Sequence, residues 1–219
     1  RKANGVSALH GEVSRKMWAG YDNICEITSI TNAQNQKFWM DPILANRLQQ
    51  NNNPELVARK QEMKRELFRV VADQTGKLLD EKVLTIVWAR RFAAYKRANL
   101  LMYDFERFKK LISNPQFPVQ VIWAGKPYPE DHGAIAIYND IHWKTKELPN
   151  CTILTGYEMN LSRLLKRGSD LWLNTPRMYR EASGTSGMTA AMNGSINLSI
   201  PDGWIPEFAK PGENSFIIT

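Results

Sequence analysis

Short apolar runs alternate with amphipathic stretches along the chain from about residue 82 onward. Runs of this kind are typical of strands buried on both faces of a sheet. They are VLTIVWA (83–89), VQVIWA (119–124), TILT (152–155), DLWLN (170–174) and INLSI (196–200), with SFII (215–218) as a candidate last strand. Stretches near 97–112, 133–147, 160–167 and 187–194 have the helical period. This alternation predicts an α/β fold, with a parallel sheet and helices on both of its faces.

The first 81 residues follow a different pattern. Apolar residues at helical spacing predict a helix over 6–18, with Ser7 as its N-cap, and a second helix over 55–73. Segment 19–54 is polar and irregular, and its last residues, QQNNNP, predict a loop.

Composition indicates an ordinary globular protein, since 43% of the 219 residues are hydrophobic and 23% are charged. No apolar run approaches the roughly 18 residues of a membrane span, and the N-terminus does not resemble a signal peptide. The cysteines, Cys25 and Cys151, are too few for a disulfide framework or a zinc site, and His132 and His142 lack metal-ligand spacing. We therefore expect a cytoplasmic protein without a metal. The missing initial Met and the strand-like end also predict a fragment of a longer protein.

The net charge of +7 is compatible with nucleic acid or with phosphorylated ligands. Basic residues are scattered and interleaved with acids, as in RKQEMKRELFR (59–69), and no block of like charge is present. The distribution therefore favours phosphate or a sugar phosphate over nucleic acid.

Ligands of a parallel sheet bind beyond the carboxyl ends of its strands, so the loops that follow the strands carry the candidate chemistry. ARRFAAYKR (89–97) places Arg91 and Lys96 five residues apart after the first strand, where they suit phosphate oxygens. WAGKPYPEDHG (123–133) places Lys126 at a strand end facing the expected cleft. The plain alternatives are a solvated basic helix start and an ordinary turn.

A third loop (174–195) combines small residues with one acid. The stretch from Ser183 to Gly187 lets a ligand approach the backbone, and Glu181 beside it is suited to accept hydrogen bonds from sugar hydroxyls. The alternative is a capping loop with a solvated Glu. Of the seven tryptophans, Trp204 in PDGWIPEF is the candidate to line a cleft.

Six blocks carry a family resemblance and stand in the family's order: NGVSALHGEVSRKMW, ARRFAAYKRANLL, WAGKPYP, DLWLNTPR, EASGTSGM and MNGSINLSIPDGW. The chain resembles the α-glucan phosphorylases, the glycogen and maltodextrin phosphorylase family, and in particular its shorter bacterial and archaeal branch. The resemblance implies two Rossmann-like domains that face each other across a cleft. It assigns 1–40 to the tail of the first domain and the crossover, 41–81 to a helical connecting segment, and 82–219 to an incomplete C-terminal catalytic domain.

The resemblance also implies an activity, namely retaining transfer of a glucosyl unit between the end of an α-1,4-glucan and inorganic phosphate, which gives glucose 1-phosphate. The family's pyridoxal phosphate acts through its phosphate group. By resemblance, Arg91 and Lys96 contact the substrate phosphate, and the glucosyl ring is bound by Glu181, Ala182, Ser183 and Gly184. The cofactor contacts are Arg90, Tyr157, Thr185, Ser186 and Gly187.

One departure from the family concerns the cofactor. Thr189 stands where the family has the lysine that forms the imine with pyridoxal phosphate, so we expect no covalent cofactor. ITNAQNQKFW (30–39) also departs from the family's turn. Two alternatives therefore stay open: a glucosyltransferase of the same architecture that uses a nucleotide sugar, and a non-catalytic glucan-binding or regulatory relic. Because the family's cleft needs both domains, we expect no turnover from this fragment alone.

Overall fold

The N-terminal part of the chain contains a small parallel pair of strands and several helices. In the computed structural model, which describes residues 1–50 and 53–219, the strands β1 (Ala3–Gly5) and β2 (Ile27–Ser29) pair in parallel. Helix α1 (Ala8–Trp18) connects them. Three further helices follow: α2 (Gln36–Trp39), α3 (Pro42–Gln49) and α4 (Asn53–Thr75).

This region confirms two sequence predictions and corrects a third. Ser7 is the N-cap of α1, where its hydroxyl accepts the His10 N–H at 3.0 Å, and α4 contains the helix predicted over 55–73. The prediction of irregular structure over 19–54 is wrong, because β2, α2 and α3 lie there. Short helices capped by Asn35 and Asp41 carry no long apolar period to reveal them. The loop predicted at QQNNNP includes 51 and 52, which lie outside the described residues.

The central sheet has six strands, all parallel, within the part of the chain that the structure describes. They are β3 (Leu84–Ala89), β4 (Val119–Ala124), β5 (Cys151–Leu154), β6 (Leu171–Asn174), β7 (Ile196–Ser199) and β8 (Ser215–Ile217). Their spatial order is β5-β4-β3-β6-β7-β8, so the chain builds outward from β3 in one direction and then from β6 in the other. This reversal between β3 and β6 is the topological switch point of a doubly wound sheet.

Five more helices connect and follow these strands: α5 (Phe105–Ile112), α6 (His132–Lys146), α7 (Met159–Gly168), α8 (Ser186–Ala191) and α9 (Ile205–Phe208). The prediction of one helix over 97–112 is wrong in its first half. Arg97 has a positive φ of 49°, which interrupts the helix, and Asp104 caps a new start at Phe105. Residues 94–96 and 100–102 form separate 3₁₀ turns. Within 1–50 and 53–219, no helix is both long and apolar enough to cross a lipid bilayer.

Each face of the sheet has its own hydrophobic core, which confirms the prediction of helices on both faces. One core contains Trp88 and Trp123 from the strands, with Phe108 of α5 and Ile141 of α6. The opposite core contains Trp172 of β6, and its helical residues include Leu67 and Val71 of α4 and Leu161 and Leu165 of α7. Helix α4 therefore packs in the helical layer on the Trp172 face of the sheet. The division of the chain into segments 1–40, 41–81 and 82–219 stays a prediction.

A buried carboxylate joins α3, α4 and α7 on that layer. Asp41 is only 2% exposed, caps α3 by accepting the Leu44 N–H at 2.9 Å, and accepts two hydrogen bonds from Arg59 of α4 at 3.1 and 2.8 Å. Arg167 of α7 lies 3.5 Å from the same carboxylate. Burial acts to raise the pKa of Asp41, but the contacts with Arg59 and the Leu44 N–H outweigh burial and hold that pKa below its ordinary value.

We expect Asp41→Asn to lower the free energy of unfolding by about 2 kcal/mol at pH 7, because hydrogen bonds to a charged group are lost. A carboxyl group whose pKa is lowered by folding stabilises above its unfolded pKa of 3.8 and ceases to do so as pH falls. The difference from wild type should therefore shrink between pH 4 and pH 3, as urea denaturation at each pH can measure. Asp73→Asn, at an exposed position of α4, is the control, and an equal difference at pH 3 and pH 7 would contradict this account.

Candidate functional site

The loops after β3 and β6 meet at one edge of the sheet. The two strands pair directly, with Ile86 beside Leu171 and Val87 beside Trp172. Neighbouring strands lie on opposite sides of this pair, so their connecting helices diverge and leave a crevice beyond the carboxyl ends. The first and third loops singled out by the sequence therefore face the same space.

Hydrogen bonds fasten these two loops to each other. The Arg97 side chain donates to the carbonyl oxygens of Thr175 and Pro176 at 2.9 and 2.8 Å. In return, the Arg177 N–H donates to Tyr95 O at 2.7 Å, and the Thr175 hydroxyl donates to Lys96 O at 2.9 Å. The two loops thus form a single wall, which carries the charged side chains of the site.

That wall borders a cleft of about 420 Å³. Most of the residues chosen from the sequence line it: Arg90, Arg91, Lys96, Tyr157, Glu181, Ala182, Ser183, Gly184, Thr185 and Ser186. Val6 and Asn32, which sequence reasoning did not select, line it as well. Val6 follows β1 and Asn32 lies shortly after β2, outside the central sheet. The sequence analysis considered only the loops that follow the strands of the central sheet, so it did not identify these two residues.

An ion-paired carboxylate lines the cleft. Glu181 Oε2 is 2.8 Å from Arg90 Nη2 and 3.0 Å from Lys96 Nζ. These three side chains are between 5% and 12% exposed, so their charges are weakly screened by solvent. Arg91 is exposed at the cleft and adds a third cation. With three cations and one carboxylate among these four side chains, the cleft has an excess of positive charge.

Two buried polar atoms in the cleft wall have unused hydrogen-bonding capacity. Among the described residues, neither Arg90 Nη1 nor Ser183 Oγ has a hydrogen-bond partner. Buried polar groups in native proteins are nearly always satisfied by protein, water or ligand. Both atoms lie beside Lys96 and Glu181, where water or a polar ligand in the cleft can satisfy them.

Backbone contacts set the position of Glu181. The N–H groups of Arg180 and Glu181 both donate to Asp202 Oδ2 at 3.0 Å. Gly184 has a φ of 81°, and a Cβ there would lie 3.1 Å from Glu181 Cγ and 3.3 Å from Arg90 Nη2. A side chain at 184 would therefore strain the backbone and crowd Glu181 and Arg90. Asp202 was not selected from the sequence, although its place just after β7 was an available signal.

Tyr157 contributes a protonated phenol to the cleft wall. Its hydroxyl donates toward Ala89 O and lies near Ser162 Oγ, at 3.3 Å in both cases. Burial raises the pKa of Tyr157 above its ordinary value, which outweighs the opposite effect of the Ser162 contact.

Lys126, Gly187 and Thr189 do not line this cleft. The prediction that Lys126 faces the cleft is wrong: its carbonyl oxygen accepts the Phe92 N–H at 3.0 Å, and its ammonium pairs with Glu158. Gly187 packs toward β7, where a Cβ would lie 2.4 Å from Asn197 Oδ1. Thr189 is 1% exposed, and its hydroxyl donates to Ser186 O at 2.9 Å. Trp204 lines only a small cavity of about 10 Å³ behind Glu181.

A basic cleft at the switch point of a doubly wound sheet is the usual location of a ligand site in an α/β domain. A family model described as carbohydrate phosphorylase matches residues 13–218. The chain therefore belongs to the carbohydrate phosphorylase family, which confirms the resemblance found in the sequence.

Curated relatives agree with this assignment. The chain is 51% identical over 210 residues to an uncharacterized protein of Methanocaldococcus jannaschii, covering 96% of the chain and 40% of the relative. It is 34% identical to a glycogen phosphorylase of Mycobacterium tuberculosis, covering 100% of the chain and 30% of that protein. It is 33% identical to a maltodextrin phosphorylase of Thermococcus litoralis, covering 98% of the chain and 31% of that protein. The chain thus spans well under half the length of these relatives.

Proposed function

We propose that this chain provides the phosphate- and glucosyl-binding half of an α-glucan phosphorylase site. The reaction is retaining transfer of a glucosyl unit between the end of an α-1,4-glucan and inorganic phosphate. The observation that carries the proposal is the convergence of Arg91, Lys96 and Glu181 on one cleft in a chain of this family. The names of the glycogen and maltodextrin phosphorylase relatives support an α-glucan as the substrate class.

The charges in the cleft suit the two substrates in different ways. Arg91 and Lys96 offer N–H donors to phosphate oxygens, and such charge-assisted hydrogen bonds are stronger than neutral ones. The Glu181 carboxylate accepts hydrogen bonds from sugar hydroxyls, while the Ser183 hydroxyl supplies a donor. Phosphate and sugar are thereby held side by side, which gives a transfer reaction its advantage of proximity and orientation.

Pyridoxal phosphate fits this site only in part. The unpartnered atoms Arg90 Nη1 and Ser183 Oγ suit the oxygens of its phosphate group, which supplies proton-transfer chemistry in this family. Its aldehyde finds no amine at position 189, since Thr189 is buried and its hydroxyl is bonded to Ser186 O. A covalently held cofactor therefore does not fit, and we assign no step of the reaction to it.

Borohydride treatment after incubation with pyridoxal phosphate and removal of the free cofactor should leave no stoichiometric phosphopyridoxyl group on any lysine of the wild-type chain, because position 189 supplies no primary amine for a retained imine. Peptide mass mapping after digestion is the measurement. Thr189→Lys is the matched positive control and should acquire the adduct at the substituted position. A modified lysine in the wild-type protein would contradict the expectation and would identify the residue that replaces the family's lysine.

The missing lysine also favours a second candidate, a glucosyltransferase that takes its glucosyl unit from a nucleotide sugar. Calorimetric titration with phosphate, glucose 1-phosphate and UDP-glucose separates the two. The proposed function predicts that phosphate and glucose 1-phosphate compete for one site, and that the nucleotide part of UDP-glucose adds no affinity. Tighter binding of UDP-glucose than of glucose 1-phosphate would favour the second candidate, and binding of none of these ligands would leave the non-catalytic alternative.

A further inference from the structure

A buried carboxylate that follows β7 holds the loop that carries Glu181. Asp202 is only 3% exposed. Its Oδ2 atom accepts the successive N–H groups of Arg180 and Glu181, both at 3.0 Å, and its Oδ1 atom accepts the Gly203 N–H at 2.9 Å. Burying a carboxylate costs free energy unless hydrogen bonds replace its hydration. Here backbone N–H groups supply them, so both oxygens of Asp202 bind backbone.

The backbone conformation before Arg180 accompanies this arrangement. Tyr179 has a φ of 64°, in the left-handed region that a bulky residue rarely adopts. Backbone reversals of this kind direct successive N–H groups toward one point and so form a concave anion site. In this loop the anion is the Asp202 side chain of the protein itself. Its two hydrogen bonds offset the free-energy cost of the strained conformation at Tyr179.

The two residues after Asp202 lie against the far end of the same loop. The Trp204 N–H donates to Ser183 O at 3.0 Å. Gly203 has a φ of 63°, and a Cβ there would lie 2.2 Å from that carbonyl oxygen. The segment after β7 therefore contacts the loop on both sides of Glu181 and leaves no room for a side chain at 203.

Ser7 holds the loop from a different element, the start of α1. It is fully buried, at 0% exposure. Its hydroxyl accepts the His10 N–H at 3.0 Å and donates to Ala182 O at 2.7 Å. A serine hydroxyl has one proton to donate, and here the loop receives it. The residue that caps α1 therefore also fixes the backbone next to Glu181.

We propose that Asp202 and Ser7 are positioning residues for the glucosyl unit. They fix the backbone at and beside Glu181, so that its carboxylate meets the sugar hydroxyls in one orientation. The residues proposed to contact phosphate, Arg91 and Lys96, lie on the other loop, after β3. The two positioning residues therefore govern the binding of the sugar and not that of the phosphate. The inference rests on the proposed function, which assigns Glu181 to the sugar.

Calorimetric titration with inorganic phosphate and with glucose 1-phosphate tests the inference, because only the second ligand has a glucosyl unit. Asn at 202 keeps the shape of Asp but has one acceptor oxygen, so its NH₂ group faces a backbone donor. We expect Asp202→Asn to weaken glucose 1-phosphate binding by about tenfold and to change phosphate binding by less than about twofold. In the Glu181→Gln background, Asp202→Asn should change either affinity by less than about twofold, since a positioning residue acts through the residue that it positions.

Asp170→Asn is the matched control for loss of a structural carboxylate. Asp170 accepts the Thr85 N–H at 2.8 Å and pairs with Lys64, and it precedes β6, at the opposite end of the strands. Its substitution should lower the thermal midpoint without changing the ratio of the two affinities. A folded Asp202→Asn protein that keeps its glucose 1-phosphate affinity, or that loses affinity equally for both ligands, would overturn the inference. So would an undiminished effect in the Glu181→Gln background.

Ser7→Ala is the second variant, and it decides the question if Asp202→Asn does not fold. We expect it to weaken glucose 1-phosphate binding by about threefold, for the loss of one hydrogen bond, with phosphate binding unchanged. Asp104→Ala removes the N-cap of α5 and controls for the loss of a helix cap. Wild-type affinity for glucose 1-phosphate in Ser7→Ala would contradict the inference. Binding of neither ligand to the wild-type chain would instead contradict the proposed function itself.

Discussion

Glu181→Gln is expected to lower the free energy of unfolding by about 2–3 kcal/mol in phosphate-free buffer, because two largely buried cations lose their carboxylate partner. Arg90 and Lys96 are 5% and 10% exposed in their side chains, and Glu181 lies within 3.0 Å of each. The same substitution should tighten the binding of phosphate, since the anion then meets cations that no longer share their charge with Glu181. Stability and phosphate affinity are thus expected to change in opposite directions.

Chemical denaturation with and without phosphate measures both effects. A ligand that binds only the folded state adds stability in proportion to RT ln(1 + [L]/Kd), so phosphate should recover more stability in Glu181→Gln than in wild type. Glu158→Gln is the control, because Glu158 pairs with Lys126 outside the cleft. If phosphate stabilised Glu181→Gln and wild type equally, Glu181 would not compete with the anion.

Lys96→Ala and Arg91→Ala are each expected to weaken phosphate binding by about 10- to 100-fold, since each removes a hydrogen bond to a charged group worth about 1.5–3 kcal/mol. Lys96 should give the larger loss, because it is buried at 8% exposure whereas Arg91 is exposed to solvent. Salt should weaken the contribution of Arg91 more than that of Lys96 for the same reason.

Isothermal titration with inorganic phosphate at two salt concentrations provides the measurement. Lys110→Ala removes the same charge from an exposed position of α5 and should leave the affinity nearly unchanged. Wild-type affinity in Arg91→Ala would refute the role of that side chain, and a loss in Lys110→Ala of the same size would indicate a general charge effect instead of a site.

The strands of the sheet could be predicted from the sequence because strands buried on both faces appear as uninterrupted apolar runs. All of the central strands from β3 to β8 overlap runs such as VLTIVWA and INLSI. The short elements were harder to predict. Helix α3 has eight residues, and its only sequence signals are the Asp41 cap and Pro42 in its first turn. At Arg97, where the predicted helix is interrupted, the side chain donates to Thr175 O and Pro176 O. These partners lie 78 and 79 positions away along the chain, so no local pattern contains the contacts.

The cleft could be predicted only where its residues follow strands of the central sheet. Arg91, Lys96 and Glu181 were accessible to that rule, and all three line the cleft. Lys126 obeyed the same rule, yet it does not line the cleft, and its ammonium pairs with Glu158 instead. Asn32 came from outside the sheet, and its approach to the cleft is a property of the tertiary fold.

The cross-linked wall formed by the loops after β3 and β6 has a consequence for the thermodynamics of binding. Arg97 joins the loops through two carbonyl oxygens, and Thr175 and Arg177 add bonds in the other direction. The conformational entropy of these segments is therefore lost when the chain folds and not when an anion binds. A small ion such as phosphate has few atoms with which to compensate an ordering transition, so a rigid wall allows it to bind through a handful of hydrogen bonds.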